Sequence, residues 1–314
     1  MKRLRWVHVV LGLLMGSAFT CGLPHAQAAE SYILIDNQTG HILASKDANE
    51  KRQIASITKI ATALVVLDMA ELKKVSLSDM AVVPMGALSV GGVNPAGLQE
   101  GDSMSLRDLI YCSLLASDNI AATTLAHYAG ARLPNPESLS PIGNFVANMN
   151  ALARGLKMRR TLFLNPAGLD GSGEDPQPHS TAADVARLVR YAYGDADFPF
   201  YVAQPHRTIQ VVRQGQSLPV SITNTNSLLG QEGIDGVKTG RTSRSGDCVV
   251  LSSEQKPEVV RDGATTYVTP RRIHVVVLGS PDRFVEGLEL TRRGWGLYNQ
   301  WAAAGRKTGG SKSL

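Results

Sequence analysis

The sequence predicts an α+β fold, in which an antiparallel sheet of about five strands is built from both chain ends, with flanking helices and an inserted all-helical lobe. Three observations support this prediction. β-Rich runs bounded by turn residues occur near residue 32 and return after residue 205. The residues between them, about 60–205, mostly carry apolar side chains at helical spacing. A last amphipathic stretch supplies a helix that can cover the sheet.

The first elements are a hairpin and a helix. Residues 32–36 and 41–46 are short β-rich runs, and Asn37-Gln38-Thr39-Gly40 between them is a turn-forming tetrapeptide. The apolar spacing then changes to three and four residues, which predicts a buried helix with Ser56 at its start. Its apolar positions are Ile57, Ile60, Ala61, Leu64, Val65 and Met69.

The later elements are separated by loops rich in glycine and proline. Apolar spacing predicts helices over 106–115, 120–128, 142–156 and 181–193, with loops at 84–102, 131–141 and 165–180. β-Rich runs then predict strands over 208–212, 218–223, 234–239, 248–252 and 271–278, and a closing amphipathic helix spans about 282–303. Because no internal repeat or flexible linker interrupts this order, we expect one domain over 29–304.

The N-terminal residues have the layout of an export signal. Three basic residues precede an apolar run at 6–23 and the small-residue pattern Ala26-Gln27-Ala28. We therefore expect a secretory signal peptide over 1–28, cleaved after Ala28. Cleavage would leave the protein in the periplasm or at the cell-envelope exterior, with no stable membrane anchor. Retention of the segment as an uncleaved anchor is the alternative.

The distribution of charge argues against a nucleic-acid partner. The chain has 314 residues and a formal net charge of +5, and its 43% hydrophobic content excludes a disordered protein. Three basic residues lie in the predicted signal and three in a basic tail at 305–314, which we expect to be disordered. Residues 29–304 are then left with a net charge of −1. The basicity of the whole chain therefore does not describe its body.

The cysteines and histidines do not indicate a metal centre. Signal cleavage would leave Cys112 and Cys248, which we expect to be separate buried thiols, with a disulfide between them as the alternative. The histidines after residue 28 are scattered without metal-ligand spacing. We therefore expect no zinc site and no cofactor.

The first motif that could carry chemistry is Ser56-Ile57-Thr58-Lys59. Residues three apart share one face of a helix, so the Ser56 hydroxyl and the Lys59 amine should lie within reach of each other. A serine needs a base to become a nucleophile, and a lysine can serve if its pKa falls from about 10.4 towards 7. The spacing alone is weak evidence, because Ser253-Glu254-Gln255-Lys256 repeats it after a predicted strand.

Two further polar motifs follow along the chain. Ser117-Asp118-Asn119 lies between two apolar helical runs, where it could present polar groups to a cleft or simply cap the second helix. Lys238-Thr239-Gly240 ends a predicted strand whose edge could pair with an extended peptide. A second Lys-Thr-Gly at 307–309 lies in the tail, with no strand around it.

In this order, the motifs S-x-x-K, S-D-N and K-T-G are typical of active-site-serine penicillin-binding proteins and class A β-lactamases. Over roughly residues 30–300 the chain resembles the low-molecular-mass penicillin-binding proteins. These are the serine-type D-alanyl-D-alanine carboxypeptidases of peptidase family S11, with a β-lactamase/transpeptidase-like fold. Further stretches that resemble this family are Leu164 to Asp170, Ser180 to Asp184, Asn224 to Leu229 and Arg272 to Gly279.

The resemblance implies a catalytic role for Ser56, Lys59 and Ser117. The substrate would be a peptidoglycan stem peptide ending in D-Ala-D-Ala. Ser56 would attack the carbonyl of the penultimate D-alanine and form an acyl-enzyme, with Lys59 as general base. Ser117, assisted by Lys238, would pass a proton to the departing amine. β-Lactam antibiotics would act as covalent inhibitors of the same serine.

The resemblance also implies a set of substrate-binding groups. Lys238, Thr239 and Gly240 of the Lys-Thr-Gly motif belong to this set. Asn119 would hold the substrate amide, and Thr239 would hold the terminal carboxylate. Arg272 matches a family arginine that also helps to hold that carboxylate. The backbone N–H groups of Ser56 and Arg241 would form the oxyanion hole.

Three alternatives to the carboxypeptidase interpretation stay open. The middle motif is S-D-N, as in class A β-lactamases, whereas carboxypeptidases of this group usually carry S-G-N. A β-lactamase is disfavoured because no E-x-x-L-N pattern occurs between residues 119 and 238. The chain also stops soon after its closing helix, like the short D,D-endopeptidases that cut peptidoglycan cross-links. The third alternative is a peptidoglycan- or β-lactam-binding protein that is acylated without turnover.

Overall fold

A five-stranded antiparallel sheet joins the two ends of the described chain. The computed structural model describes residues 28–173, 175–308 and 313–314. Strands β1 (Ser31–Asp36) and β2 (Ile42–Lys46) lie beside three later strands, which are β7 (Ile234–Thr242), β8 (Gly246–Asp262) and β9 (Thr265–Ser280). The strand order is β2-β1-β9-β8-β7, so β7 is an edge strand. The prediction of a sheet built from both chain ends is confirmed.

The sheet is buried on both faces because its apolar residues alternate between two cores. Val249 and Leu251 pack with Trp295 and Tyr298 of the last helix, α7 (Arg283–Ala303). The intervening Val250 belongs to the other core, which the helical lobe provides. A period of two in a strand gives this result directly, since successive side chains point to opposite faces.

The inserted lobe is built around helix α1 (Lys59–Lys73), which is buried on nearly all sides. Its neighbours are α2 (Leu106–Leu115), α3 (Asn119–Gly130), α4 (Pro141–Gly155) and α5 (Ala182–Ala192), and the short α6 (Phe198–Val202) packs against α2. The four longer neighbours were predicted to within two residues at each end. The five-residue α6 was not, because it is too short to show a helical period.

The prediction that the inserted lobe is all-helical needs a correction. Two three-residue strands, β3 (Met80–Val82) and β4 (Ser103–Ser105), flank the predicted loop at 84–102, where no strand was predicted. They join β5 (His206–Arg213) and β6 (Gln216–Thr223) in a second antiparallel sheet with the order β3-β4-β5-β6. Three residues are too few to reveal an alternation in the sequence, so only their tertiary pairing defines them.

Strands β8 and β9 are longer than predicted and continue beyond the sheet as a two-stranded ribbon. Val259 pairs with Val268 and Val260 with Tyr267 near its tip, and all four side chains are exposed. The polar residues and prolines at 254–257 and 269–272 break the β pattern in the sequence, which explains the shorter prediction.

Both predictions for the chain ends concern residues at the limit of the described structure. The predicted signal peptide, 1–28, lies outside the described residues except for Ala28. In the described parts of the tail, Arg306 pairs with Glu258 at 2.6 Å and Leu314 N–H donates to Gly40 O at 3.2 Å. Within the described ranges, no helix has the length and apolar character needed to span a membrane. Cys112 and Cys248 are buried and unbridged, as expected.

Candidate active site

Ser56 lies in a 3₁₀ turn, Ala55–Thr58, that leads directly into α1. Lys59 is the first residue of α1, and its Nζ donates a hydrogen bond to Ser56 Oγ at 2.8 Å. The predicted pairing of this serine and lysine is therefore present. The second Ser-x-x-Lys lies on β8, where residues three apart point to opposite faces. There the Ser253 hydroxyl instead accepts from Trp295 Nε1 at 2.8 Å.

The Lys59 amine is fully buried and has three hydrogen-bond partners. Besides Ser56 it donates to Asn119 Oδ1 at 2.7 Å and to the Ala167 carbonyl oxygen at 2.9 Å. Burial lowers the pKa of Lys59 to about 7, against the opposing influence of the neighbouring Asp118 carboxylate and the Cys112 thiol. With that pKa, about half of the amine is neutral at pH 7 and can accept a proton.

The loop that supplies the Ala167 carbonyl is organised by one side chain. Asn165 Oδ1 accepts hydrogen bonds from the backbone N–H groups of Ala167, Gly168 and Leu169 at 3.2, 2.7 and 2.9 Å. Gly168 has a φ of +78°, and a Cβ there would lie 1.9 Å from the Ala55 carbonyl oxygen. Sequence analysis found this stretch only as a family likeness. The Asn-Pro-Ala-Gly run was the local signal for such a turn.

The Ser117-Asp118-Asn119 motif is both a helix cap and a part of the site. Asp118 is the N-cap of α3 and accepts from Ala121 N–H at 2.9 Å, as the capping interpretation predicted. The next residue, Asn119, contacts Lys59 as stated above. Ser117, just before the cap, has a φ of +62° and is nearly buried. The cap therefore fixes the positions from which Ser117 and Asn119 reach the cleft.

The Lys238-Thr239-Gly240 motif lies on β7, which runs beside the Ser56 turn. A Cβ at Gly240 would lie 3.1 Å from Ser56 N and 3.0 Å from Ile54 O, so the absence of a side chain allows this close approach. Lys238 is buried, and its Nζ donates to Thr239 O at 2.9 Å. Burial, followed by the positive charges of Lys59 and Arg283, holds the pKa of Lys238 well below its usual value.

Side chains of the segment at 225–226 contact β7 next to the Lys-Thr-Gly motif. Thr239 Oγ1 lies 2.6 Å from Thr225 Oγ1, and Asn226 Nδ2 donates to Gly236 O at 3.0 Å. The segment around Thr225 and Asn226, to which sequence analysis gave no role, therefore supports β7. Arg241 is 73% exposed and pairs with Asp247 at 3.4 Å.

The structure does not bring Arg272 to the site, which corrects the expectation drawn from the family resemblance. Thr239 is in register with Val249, which is in register with Val277 of β9. Arg272 is five residues from Val277, or about 17 Å along the strand. Its guanidinium pairs with Asp235 at 2.6 Å and Glu254 at 2.7 Å.

Arg283, which sequence analysis missed, lies beside the Lys-Thr-Gly motif instead. It is the first residue of α7, and its Nη1 donates to the Gly240 carbonyl oxygen at 3.0 Å. It also pairs with Asp247 at 3.4 Å. No local pattern marks this residue, because α7 reaches β7 only through the folding of the sheet.

The chain also matches a known protein family. The peptidase S11 family model, described as D-alanyl-D-alanine carboxypeptidase, matches residues 18–261. The chain belongs to peptidase family S11. Among S11 relatives, it is 33% identical to the D-alanyl-D-alanine carboxypeptidase DacC of Escherichia coli K12 over 266 residues, which are 78% of this chain and 61% of DacC. It spans 55% of the length of the carboxypeptidase DacF of Bacillus subtilis.

Two further matches extend over a larger share of this chain. A D-alanyl-D-alanine endopeptidase of Pseudomonas aeruginosa is 28% identical over 295 residues, which are 91% of this chain and 82% of the relative. The crystal structure of the Streptomyces K15 DD-transpeptidase has a TM-score of 0.73 and 26% sequence identity, and the match covers 86% of this chain and 97% of that one. The fold is therefore that of the penicillin-binding DD-peptidases.

Proposed function

We propose that this protein is an exported serine DD-peptidase that removes the terminal D-alanine from peptidoglycan stem peptides. One observation carries the proposal. The buried Lys59 amine, with a pKa of about 7, lies 2.8 Å from the Ser56 hydroxyl. That contact gives a serine the base it needs near neutral pH. The predicted signal peptide would place the enzyme in the periplasm or at the envelope exterior, where peptidoglycan is found.

The first half of the reaction forms an ester on Ser56. Its Oγ attacks the carbonyl carbon of the penultimate D-alanine while neutral Lys59 accepts the hydroxyl proton. The oxyanion is stabilised by the backbone N–H groups of Ser56 and Arg241, each typically worth about 3 to 4 kcal/mol. The peptide C–N bond then breaks. Ser117, assisted by Lys238, relays the proton from the Lys59 ammonium to the departing D-alanine amine, which leaves Lys59 neutral and Ser117 protonated.

The second half of the reaction restores the enzyme. A water molecule attacks the ester carbonyl and gives a proton to the Lys59 amine. The bond to Ser56 Oγ then breaks, and the serine recovers its proton. These steps need only side chains and backbone groups of this chain, so the proposal includes no metal or cofactor.

Substrate binding follows from the edge position of β7. An extended peptide can pair with the free edge of this strand, because no other strand covers it in the described sheet. Asn119 holds the substrate amide from the opposite wall. Thr239 and Arg283, next to Lys238, hold the terminal carboxylate. A penicillin carries an equivalent amide and carboxylate, so it acylates Ser56 as a covalent inhibitor.

Replacement of Arg283 tests the corrected assignment of the carboxylate site. We expect Arg283→Gln to lower kcat/KM for a D-Ala-D-Ala peptide about 10- to 100-fold, the usual range for loss of one charged hydrogen bond. Arg272→Gln is the matched control, and it should lower Tm with little effect on kcat/KM. The opposite result, a large loss of kcat/KM in the Arg272 variant alone, would return the role to Arg272.

A D,D-endopeptidase activity is the second candidate. It is supported by the Pseudomonas aeruginosa D-alanyl-D-alanine endopeptidase, because the match covers 82% of that relative. The chemistry would be the same, because a cross-link also contains a D-Ala-D-X peptide bond. Mass spectrometry of products from a monomeric pentapeptide and a cross-linked muropeptide dimer separates the two. We expect loss of one D-alanine from the pentapeptide, whereas exclusive splitting of the dimer would favour the endopeptidase.

Rapid turnover of a penicillin in a parallel reaction would instead favour a β-lactamase. We expect slow turnover, because Asn165-Pro-Ala-Gly occupies the stretch in which E-x-x-L-N was sought. Acylation by penicillin without release of any peptide product would favour a binding protein.

A further inference from the structure

The middle residue of the Ser117-Asp118-Asn119 motif has no part in the reaction described above. Even so, the Asp118 carboxylate is fully buried beside the catalytic lysine. Burying a carboxylate costs free energy unless several groups satisfy it. A glycine at this position, as carboxypeptidases of this group usually have, avoids that cost. The contacts of Asp118 therefore indicate what the charge contributes in this chain.

One contribution is to hold the loop at Gly91–Ala96, here called the 91–96 loop. Asp118 Oδ2 accepts from Ala96 N–H at 3.2 Å, while Oδ1 caps α3. The other end of the loop lies on Asn119, which donates from its backbone N–H to Val93 O at 2.9 Å and from Nδ2 to Gly91 O at 3.2 Å. Asp118 thus fixes the loop against the residue that contacts Lys59.

The second contribution is electrostatic. Asp118 faces Lys59 from the start of α3, Cys112 faces it from α2, and Lys238 approaches from β7. Burial raises the pKa of Asp118, but backbone N–H groups and the Lys59 charge favour its ionised form. Asp118 is therefore the neighbour that supplies negative charge, whereas burial keeps the Cys112 thiol protonated. A nearby negative charge favours the protonated amine and so opposes the effect of burial.

We propose that Asp118 is a positioning residue that holds the 91–96 loop over Asn119 and sets the pH range in which Lys59 can act as a base. This proposal rests on the proposed function, because it assumes that Lys59 accepts the Ser56 proton. A purely structural cap would explain the bond to Ala121, but it would not affect the pH dependence of acylation.

The test is the pH profile of Ser56 acylation by a fluorescent penicillin in Asp118→Asn. Asparagine is as good an N-cap as aspartate but carries no charge. The Lys59 amine should then lose its proton more easily. We expect the acid limb of the acylation rate to move to lower pH by about one unit, close to a tenfold gain on that limb. Amide hydrogen exchange at Ala96 should also become faster, because the asparagine has only one acceptor oxygen.

Asp102→Asn is the matched control, since Asp102 is a buried carboxylate beyond the other end of the same segment. It accepts from Gln99 N–H at 2.7 Å and pairs with Arg213 at 2.7 Å. This variant should speed amide hydrogen exchange near Gln99 and leave the acid limb of the acylation rate at its wild-type pH. The proposal would be overturned if the acid limb of the acylation profile of Asp118→Asn stayed at the wild-type pH. It would also be overturned if the limb moved equally in Asp118→Asn and Asp102→Asn.

A second variant covers the case in which Asp118→Asn does not fold. Asp118→Gly restores the S-G-N motif usual in the group and removes the same charge, so we expect the same displacement of the limb. Failure of the wild-type protein to label at Ser56 counts against the proposed function. A labelled wild type with coincident profiles in all variants counts against Asp118 alone.

Discussion

Ser56→Ala is expected to abolish covalent labelling by a fluorescent penicillin and to lower peptidase activity at least about 10⁴-fold, because no acyl-enzyme can form without the hydroxyl. The fold should survive. The only hydrogen bond described for the Ser56 hydroxyl is the one from Lys59, and its loss is worth about 1 kcal/mol. Gel fluorescence for labelling and a thermal melt for folding measure the two effects separately.

Ser113→Ala is the matched control for this prediction. Ser113 is also a serine of the helical lobe, it is fully buried in α2, and its Oγ lacks a hydrogen-bond partner among the described residues. Its removal should leave labelling at the wild-type level. Persistent labelling of Ser56→Ala at a wild-type rate would mean that another residue is the nucleophile, and peptide mapping of the adduct would locate it.

The sequence predicted most reliably what local spacing determines. The Ser56–Lys59 pair follows from one helical turn, and the strands at both ends follow from their period of two. The Asp118 cap also follows from local residue preference. In each case the residues that define the element are close in the chain, so a pattern of a few residues is enough to predict it.

The errors occurred where sheet register or distant packing decides the contact. Arg272 was assigned from its place in a linear match, but the register of β7, β8 and β9 puts it about 17 Å from Thr239 along the strand direction. Arg283 reaches Gly240 from a helix 43 residues further along the chain. Strands β3 and β4 pair with each other, and β4 also pairs with β5. A run of three residues in the sequence does not indicate such pairing.

The middle motif illustrates why two interpretations of one pattern need not exclude each other. Ser, Asp and Asn are ordinary capping residues, and the structure confirms Asp118 as a cap. The cap also determines where α3 begins, and the first residue of that helix, Asn119, contacts Lys59 at 2.7 Å. A preference that looks purely structural in the sequence therefore places a polar group of the site.

Lys59→Met is expected to reduce the acylation rate about 10²- to 10⁴-fold, the usual contribution of a general base. Lys238 cannot replace it, because its amine is directed to Thr239 O at 2.9 Å. Methionine has nearly the same length, but Asn119 Oδ1 and the Ala167 carbonyl oxygen lose a donor and Asp118 loses a nearby positive charge, so we expect a lower Tm with the fold retained. Lys256→Met, which alters the exposed lysine of the second Ser-x-x-Lys, is the matched control and should have no effect.

The pH profile separates a base from a mere positive charge at this position. With a pKa of about 7, the neutral fraction of Lys59 falls about tenfold for each pH unit below that value, and the acylation rate of the wild type should fall with it. Lys59→Arg keeps the charge but stays protonated at every accessible pH, so it should be as inactive as the methionine variant. If the arginine variant acylated at near the wild-type rate, Lys59 would act through its charge, and the proton of Ser56 would have to leave by another route.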